Sequence, residues 1–236
     1  MKTTYTMYNR LKEEAYEANM NLTKLGLVKF TFGNVSVFDR DLGVFAIKPS
    51  GVPYEILKPA DIVIVDLEAQ VVEGTLRPSS DTKTHAVLYK EWPELGAVVH
   101  THSVYGTAWA QANRSIPIYG TTHADHLTKD IPCAPPMHDD MIAGNYEHQT
   151  GYQIINHFKE AGLNHEEVQM ILVGNHAPFT WGKDGQQAVY NAAVLEYVAE
   201  LAFLSECINP RIERLKPSLI KKHYERKHGS NAYYGQ

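Results

Sequence analysis

The stretch Leu95–Ser103, LGAVVHTHS, places two histidines, His100 and His102, directly after an apolar run. The run has the length and the valine content of a buried strand. Side chains two residues apart on a strand point to the same face, so the two imidazoles are expected to project together. Because a buried imidazole needs partners for its nitrogens, the pair predicts a polar site at the end of this strand.

Short apolar runs and helical periodicities alternate on both sides of this stretch. The predicted strands are LVKFTFGNVSVFD (27–39), GVFAIKPSG (43–51), two strands in DIVIVDLEAQVVEG (61–74), GAVVHTH (96–102), SIPIYG (115–120), and a strand entering a hairpin or turn in VQMILVGNHAPFTWG (168–182). The predicted helices are Tyr8–Leu22, SSDTKTHAVLYKEW (79–92), Ser103–Gln111, Thr150–Glu160 and Gln186–Ile208, with DIPCAPPMH (130–138) mostly loop. Several connections are too short for crossover helices. We therefore expect one α/β domain, 1–236, with a central mixed or largely antiparallel β-sheet sandwiched between helical layers.

Composition and charge exclude several classes of partner. A formal net charge of −5 argues against nucleic acid, which demands a basic surface. The most apolar helix candidate carries three glutamates, so it is not expected to span a membrane. The chain starts without an apolar signal segment, and its two cysteines are too few for a disulfide framework. These features predict a cytoplasmic protein.

A third histidine and a carboxylate suggest that the pair binds a metal ion. His176 ends the apolar run MILVG, and Asp81 stands at the start of a predicted helix. Three histidines and one oxygen ligand, with a position left for water or substrate, are typical of a catalytic metal site. For the pair alone, hydrogen bonding to neighbouring loops stays open as the simpler explanation.

Two Pro-Ser turns flank the predicted metal helix. They are KPSG (48–51) and RPSSD (77–81), and Gly33 and Asn34 in FGNVS could add a backbone N–H and an amide. Hydroxyls and backbone N–H groups at a helix start bind anions without a basic side chain. The two turns together favour a phosphate site, although ordinary turn and capping chemistry uses the same residues.

Several motifs in this order resemble one known family. They are GNVS (33–36), IKPSGV (47–52), PSSDT (78–82), VVHTHS (98–103), GTTHAD (120–125), NHAPF (175–179), and KHYERKHG (222–229) with the ending AYYGQ (232–236). Together they resemble the L-ribulose-5-phosphate 4-epimerases of the class II aldolase/adducin-like superfamily. The resemblance implies a sheet between helical layers and a fourfold homotetramer with active sites between subunits.

The resemblance also assigns roles to residues. It implies metal ligands at Asp81, His100, His102 and His176, phosphate-binding residues at Gly33, Asn34, Ser50, Gly51, Ser79 and Ser80, and acid/base residues at Asp125 and Tyr234. The tyrosine is expected to come from a neighbouring subunit. The implied cofactor is Zn²⁺, with Mn²⁺ or Co²⁺ as alternatives for this ligand set. His223 and His228 receive no catalytic role.

The implied reaction interconverts L-ribulose 5-phosphate and D-xylulose 5-phosphate, as in arabinose catabolism and other pentose routes. The hydrogen on C4 is not acidic, so inversion requires cleavage of the C3–C4 bond and re-addition on the other face. One alternative is a class II aldolase that releases dihydroxyacetone phosphate and an aldehyde, although such aldolases carry glutamate where this chain has Asp81. Another is a non-enzymatic scaffold. The segment HLTKDIPCAPPM (126–137) and Ala177 depart from the family pattern and bear on sugar preference.

Overall fold

One eight-stranded sheet organises the molecule. The computed structural model describes residues 7–229, 232 and 233. The strands are β1 Asn34–Asp39, β2 Val44–Ile47, β3 Val63–Asp66, β4 Val71–Glu73, β5 Ala97–His100, β6 Cys133–Ala134, β7 Met170–Val173 and β8 Pro178–Gly182. Their order is β4-β3-β2-β1-β5-β8-β7-β6, and only the pairing of β6 with β7 is parallel. The predicted α/β class with a largely antiparallel sheet is confirmed.

Helices cover both faces of this sheet. They are α1 Asn9–Lys24, α2 Thr82–Glu91, α3 Val104–Gln111, α4 Thr121–Ala124, α5 Asp139–Ala143, α6 Tyr146–Glu160, α7 Gly185–Ile208 and α8 Pro217–His228, with 3-10 turns at Tyr54–Ile56 and Pro59–Asp61. Alternating side chains on β2 separate the layers, because Phe45 and Ile47 pack with α2 and α6 while Val44 and Ala46 pack with α1 and α7. The predicted sandwich of helical layers is therefore present.

Helix α7 is, among the described residues, the one helix long and apolar enough to cross a bilayer by length and composition. Its buried side chains, including Leu195 and Ala199, join the apolar cluster under α3. Glu196 accepts the backbone N–H groups of Tyr105 and Gly106 at 2.9 and 2.8 Å, which satisfies the first turn of α3. The helix thus packs as the core helix of a globular domain.

The first predicted strand is shorter than its apolar pattern suggests. Residues 27–33 form a loop, and β1 begins only at Asn34. Phe30 and Gly33 have positive φ angles of 55° and 93°, which interrupt an extended chain. Strand β5 likewise ends at His100, so His102 lies just beyond the strand rather than on it.

Other differences lie around the Pro-rich segments and the tail. Residues 115–120 contribute one isolated bridge, Ile116 with Ile131, instead of a strand, because Pro117 has no N–H to donate. The segment 130–138 is mostly loop as predicted, apart from the two residues of β6. Helix α6 begins at Tyr146, four residues before the predicted start, and α8 was not predicted.

Candidate active site

Three histidines from separate segments meet at one end of the sheet. His100 ends β5, His102 follows it, and His176 lies in the turn between β7 and β8. Because β8 pairs with β5 and places Phe179 opposite His100, the β7–β8 turn lies beside the end of β5. The Nε2 atoms of His100 and His102 are 3.1 Å apart, and one ring nitrogen from each of the three histidines lies within 4.8 Å of the others.

The protonation of this cluster suits a metal ion. His100 donates from Nδ1 to the carbonyl oxygen of Pro178 at 3.0 Å, which leaves Nε2 as the ligand nitrogen. Burial lowers the pKa of His100 to about 3, and burial together with His100 lowers the pKa of His176 to about 3. Both imidazoles are therefore neutral at neutral pH, which is the form that binds cations.

One buried ring nitrogen of the cluster also has no hydrogen-bond partner among the described residues. Nδ1 of His176 is buried and makes no hydrogen bond with the described residues. An orphaned buried nitrogen costs free energy that a bound cation would recover. The three histidines therefore fit a divalent cation such as zinc.

Asp81 precedes α2 and faces the same cavity. Its Oδ2 accepts a hydrogen bond from Nδ2 of Asn34 at 2.7 Å and a long one from Oγ of Ser79 at 3.5 Å. Burial lowers the pKa of His102 and the nearby charge of Asp81 raises it, so the carboxylate acts electrostatically on the cluster. Its oxygens are not part of the compact group that the three histidines form.

The two Pro-Ser turns lie side by side. The backbone N–H of Ser50 donates to the carbonyl of Arg77 at 2.9 Å, and that of Ser79 donates to the carbonyl of Lys48 at 3.0 Å. Gly33 lies against β5, where an added Cβ would stand 2.9 Å from the carbonyl oxygen of His100. Only glycine fits there, which explains the glycine of GNVS in physical terms.

One cavity of about 360 Å³ joins the predicted metal and phosphate residues. The predicted residues that line it are Gly33, Asn34, Ser50, Gly51, Ser79, Ser80, Asp81, His100, His102 and His176. A second cavity of equal volume, near Arg10 and Lys183, contains none of them. The fold thus brings ten of the twelve predicted site residues into one space.

Sequence reasoning missed several other lining residues, namely Thr31, Phe32, Lys48, Tyr146 and Glu147. Lys48 is only 2% exposed, its Nζ donates to the carbonyl of Val52 at 2.7 Å, and burial lowers its pKa to about 8. Its place inside KPSG was the signal that could have found it. Tyr146 and Glu147 carry no such signal, because they belong to a helix turn far away in the sequence.

Asp125 lies elsewhere, at the end of α4. Its Oδ1 accepts from Nδ1 of His223 at 2.9 Å, and both of its oxygens accept from Nη2 of Arg226 at 3.0 Å. Burial raises the pKa of Asp125, but the hydrogen bonds from Arg226 and His223 outweigh it and hold the pKa below its usual value. Asp125 does not line the histidine cavity. Tyr234 lies outside the described residues.

The chain is similar to proteins of known family and structure. Residues 13–203 match the family model described as "Class II Aldolase and Adducin N-terminal domain". An L-fuculose 1-phosphate aldolase is similar at 25% identity and a TM-score of 0.75, covering 92% of this chain and 95% of that one. YgbL from Escherichia coli, described as a candidate aldolase/epimerase/decarboxylase, has 23% identity and a TM-score of 0.72 over 92% and 99%. The L-fuculose-1-phosphate aldolase from Thermus thermophilus has 23% identity and a TM-score of 0.66 over 87% and 99%.

Proposed function

Since the chain belongs to the class II aldolase and adducin family, we propose that it is a metal-dependent enzyme that makes and breaks a carbon–carbon bond in a sugar phosphate. More specifically, we propose that it is a cytoplasmic epimerase that interconverts L-ribulose 5-phosphate and D-xylulose 5-phosphate. The observation that carries the proposal is the shared cavity, where three neutral imidazoles lie beside two paired Pro-Ser turns.

His100, His102 and His176 would hold the cation, with Asp81 as the proposed oxygen ligand. A bound Zn²⁺, or Mn²⁺ or Co²⁺, supplies Lewis-acid stabilisation of the negative charge that carbon–carbon cleavage creates. The protein keeps this ligand set in place through the hydrogen bond from His100 to Pro178 and through the stacking of its ring on Phe179 at 4.2 Å. Asn34 holds the carboxylate of Asp81 in the same way.

The paired turns would hold the phosphate on C5. Cleavage of the C3–C4 bond divides the pentulose into a three-carbon fragment and glycolaldehyde phosphate, which keeps the phosphate. The Pro-Ser turns, with Gly33 and Asn34, would anchor this aldehyde while its carbonyl rotates to present the other face. Lys48 lies beside the turns, and a bound dianion would favour its charged form.

Two further groups must move protons on opposite sides of the aldehyde. Asp125 is held ionised by Arg226 and His223, so it suits the role of proton acceptor from the C4 hydroxyl. We assign the second role to Tyr234. Because Asp125 does not line the histidine cavity of its own chain, we propose that both groups act on a neighbouring subunit's cavity in a homotetramer.

An aldolase acting on a ketose 1-phosphate is the second candidate, favoured by the similarity to L-fuculose 1-phosphate aldolase. Such aldolases use a glutamate where this chain has Asp81. Here the shorter carboxylate is hydrogen-bonded to Asn34 at 2.7 Å, which suits a fixed ligand better than a proton carrier.

The test is incubation of the purified enzyme with L-ribulose 5-phosphate, followed by separate measurement of D-xylulose 5-phosphate and of free glycolaldehyde phosphate. We expect the epimer to dominate and chelation to abolish its formation. Asp125→Asn and Tyr234→Phe should each reduce epimerisation strongly while the bound metal stays near the wild-type level. Predominant free aldehyde would favour the aldolase, and a folded protein that binds no metal and turns over no sugar phosphate would favour the scaffold.

A further inference from the structure

Two aromatic rings stand beside the histidine cluster on its cavity side. The ring centroid of Phe32 is 6.0 Å from that of His102, and the centroid of Tyr146 is 6.2 Å from that of His176. The rings of His102 and His176 are themselves 5.3 Å apart. Phe32 and Tyr146 both line the cavity, and they are 55% and 38% exposed. His102 and His176, two of the proposed metal ligands, thus each have one partly exposed aromatic neighbour.

The backbone that carries Phe32 is unusual for its sequence. The alternating pattern of residues 27–32 predicts a strand, but the segment is a loop in which Phe30 has a φ of 55° and is 78% exposed. Phe30 and Phe32 contact each other edge to face, with centroids 5.9 Å apart. A phenylalanine with positive φ is unfavourable, and this one gains little burial in return. Such local conflicts concentrate at functional sites.

The rest of the cavity is polar. Hydroxyls, an amide, carboxylates and Lys48 line it, and beyond the histidines the aromatic side chains in the lining are Phe32 and Tyr146. The ring faces offer no strong hydrogen bond to an aldehyde oxygen, so they would not fix the aldehyde in one orientation. The two rings would, however, cover part of the cavity beside the histidines and limit the access of water and the escape of a small fragment on that side.

The proposed epimerase reaction needs an apolar wall of this kind, which we define as the side chains of Phe32 and Tyr146. Once the C3–C4 bond is broken, the aldehyde can rotate and be attacked again, or it can escape or be hydrated. An aldolase must release its aldehyde, whereas an epimerase must retain it. Which activity dominates therefore depends on the rate at which the aldehyde escapes, compared with the rate at which it is added back to the enediolate.

We propose that Phe32 and Tyr146 are specificity-determining residues that retain the aldehyde fragment and so favour epimerisation over aldol cleavage. This inference rests on the proposed function. The cleavage step is the same in both outcomes: the electron pair of the C3–C4 bond moves to the three-carbon fragment, and the proton of the C4 hydroxyl moves to the base. In epimerisation the enediolate then attacks the other face of the aldehyde and the C4 oxygen takes a proton back. In aldol cleavage the enediolate instead takes a proton on C3 and leaves as dihydroxyacetone, together with the free aldehyde.

The experiment compares Phe32→Ala, Tyr146→Ala and the double variant with the wild type. Phosphorus NMR measures D-xylulose 5-phosphate and free glycolaldehyde phosphate in the same reaction, and their ratio gives the released fraction. We expect the released fraction to rise about tenfold in each single variant and further in the double variant. Total cleavage, the sum of both products, should stay within about threefold of the wild type.

Three controls separate this role from a loss of structure. Phe32→Leu and Tyr146→Phe keep most of the wall and should release little aldehyde. Phe30→Ala removes the exposed neighbour that does not line the cavity, so it should behave like the wild type. Bound metal and thermal unfolding should match the wild type in all variants. An unchanged released fraction, or a loss of cleavage itself in a folded and metal-loaded variant, would overturn the inference. A wild type that forms no epimer would instead overturn the proposed function.

Discussion

At the residue scale, Lys48 is an unusual charge because it is buried and its ammonium group donates to carbonyl oxygens. Its Nζ donates to the carbonyls of Val52 and Pro49 and stands 4.7 Å from the ring centroid of Tyr54. Carbonyl oxygens and a ring face replace part of the lost hydration of the ammonium group. Burial nevertheless lowers its pKa from 10.5 to about 8. The charged ammonium group of Lys48 therefore lowers the stability of the folded protein, and a bound anion would offset this cost.

We expect this cost to appear in the pH dependence of stability relative to Lys48→Met. Below about pH 8 both the folded and the unfolded wild type bind the proton, so the full penalty is present. Between about pH 8 and 10.5 only the unfolded state keeps the proton, so the free energy of unfolding of the wild type rises with pH. Above this window Lys48 is neutral in both states, so its burial no longer lowers the free energy of unfolding.

The measurement is urea unfolding of both proteins across this pH window, without substrate or phosphate. The free energy of unfolding of the wild type should rise relative to that of Lys48→Met from the lower to the upper end, by on the order of 1–2 kcal/mol once solvent screening is allowed for. Parallel curves for the two proteins would contradict the buried-charge interpretation of Lys48.

Single residues show why much of the cavity could be predicted from the sequence. His100 and His102 follow a strand, and the position of Gly33 beside the carbonyl of His100 requires a glycine. For such residues the amino-acid type itself indicates a metal site or a close backbone contact, so the sequence is enough to single them out. Phe32 and Tyr146 line the cavity only because a loop and a helix start place them there. A phenylalanine or tyrosine looks like a core residue in any sequence, so these positions could not be predicted.

At the element scale, the packing of α6 on α2 depends on Gly151. A Cβ added there would stand 2.6 Å from Cβ of Val87 and 3.2 Å from the carbonyl oxygen of Thr84. Alanine normally stabilises a helix interior relative to glycine by about 1 kcal/mol. Here the overlap should reverse the sign, and we expect Gly151→Ala to lower the free energy of unfolding by about 2 kcal/mol.

Gly120→Ala is the matched control for this prediction. Nothing lies within 4 Å of the Cβ that it would add, and its φ of −137° suits any residue. Urea unfolding should therefore find the control close to the wild type. A Gly151→Ala protein as stable as the control would mean that the two helices can separate at little cost.

Helix α8 is attached to the molecule mainly through polar contacts. None of its residues is buried, and its side chains reach α4 through Asp125, which accepts hydrogen bonds from His223 and Arg226. His228 adds a hydrogen bond between Nε2 and the carbonyl of Asp125 at 2.9 Å. Because the side chains of Arg226 and Asp125 are only 24% and 16% exposed, this ion pair should contribute more than a surface pair does.

We expect Arg226→Ala to release α8 without unfolding the core. Hydrogen exchange of the amides in residues 217–228 should accelerate about tenfold or more, while exchange in the sheet stays unchanged. Lys221→Ala is the control, since the ion pair of Lys221 at 3.7 Å is with Glu225 of the same helix. Equal protection of α8 in both variants would show that apolar contacts hold the helix.

The elements also differ in how well their patterns predicted them. The strands β2, β3 and β5 are apolar runs buried on both faces, and helices α1 and α7 were found near their true bounds, because burial and periodicity agree there. The strand prediction for residues 27–33 was wrong, since positive φ angles override an alternating pattern. Helix α8 has no buried residues, so its sequence shows no apolar periodicity from which a helix could be predicted.

At the scale of the whole molecule, the proposed site is divided between two places. The histidine cavity lies at the end of β5 and β8, whereas Asp125 lies at the contact of α4 with α8 and does not line that cavity. The spacing of the residues does not show this division, because it depends on how the fold places the two regions; only the family resemblance implied active sites between subunits. If both regions serve one reaction, a second subunit must bring them together. The shared site then requires an oligomer in which each interface repeats the same contact.

Mixed oligomers test this arrangement directly. His102→Ala removes a proposed metal ligand and Asp125→Asn removes the proposed base, so each variant alone should be inactive. In a ring of four with random assembly, a site is complete when an intact histidine cluster meets an intact Asp125 from its neighbour, which gives about a quarter of wild-type activity. Equal amounts of the two variants, co-expressed with different tags and purified on both, should show this recovery. If one chain supplied both regions of its own site, every subunit in the mixture would carry a defect, and activity would stay at the level of the separate variants.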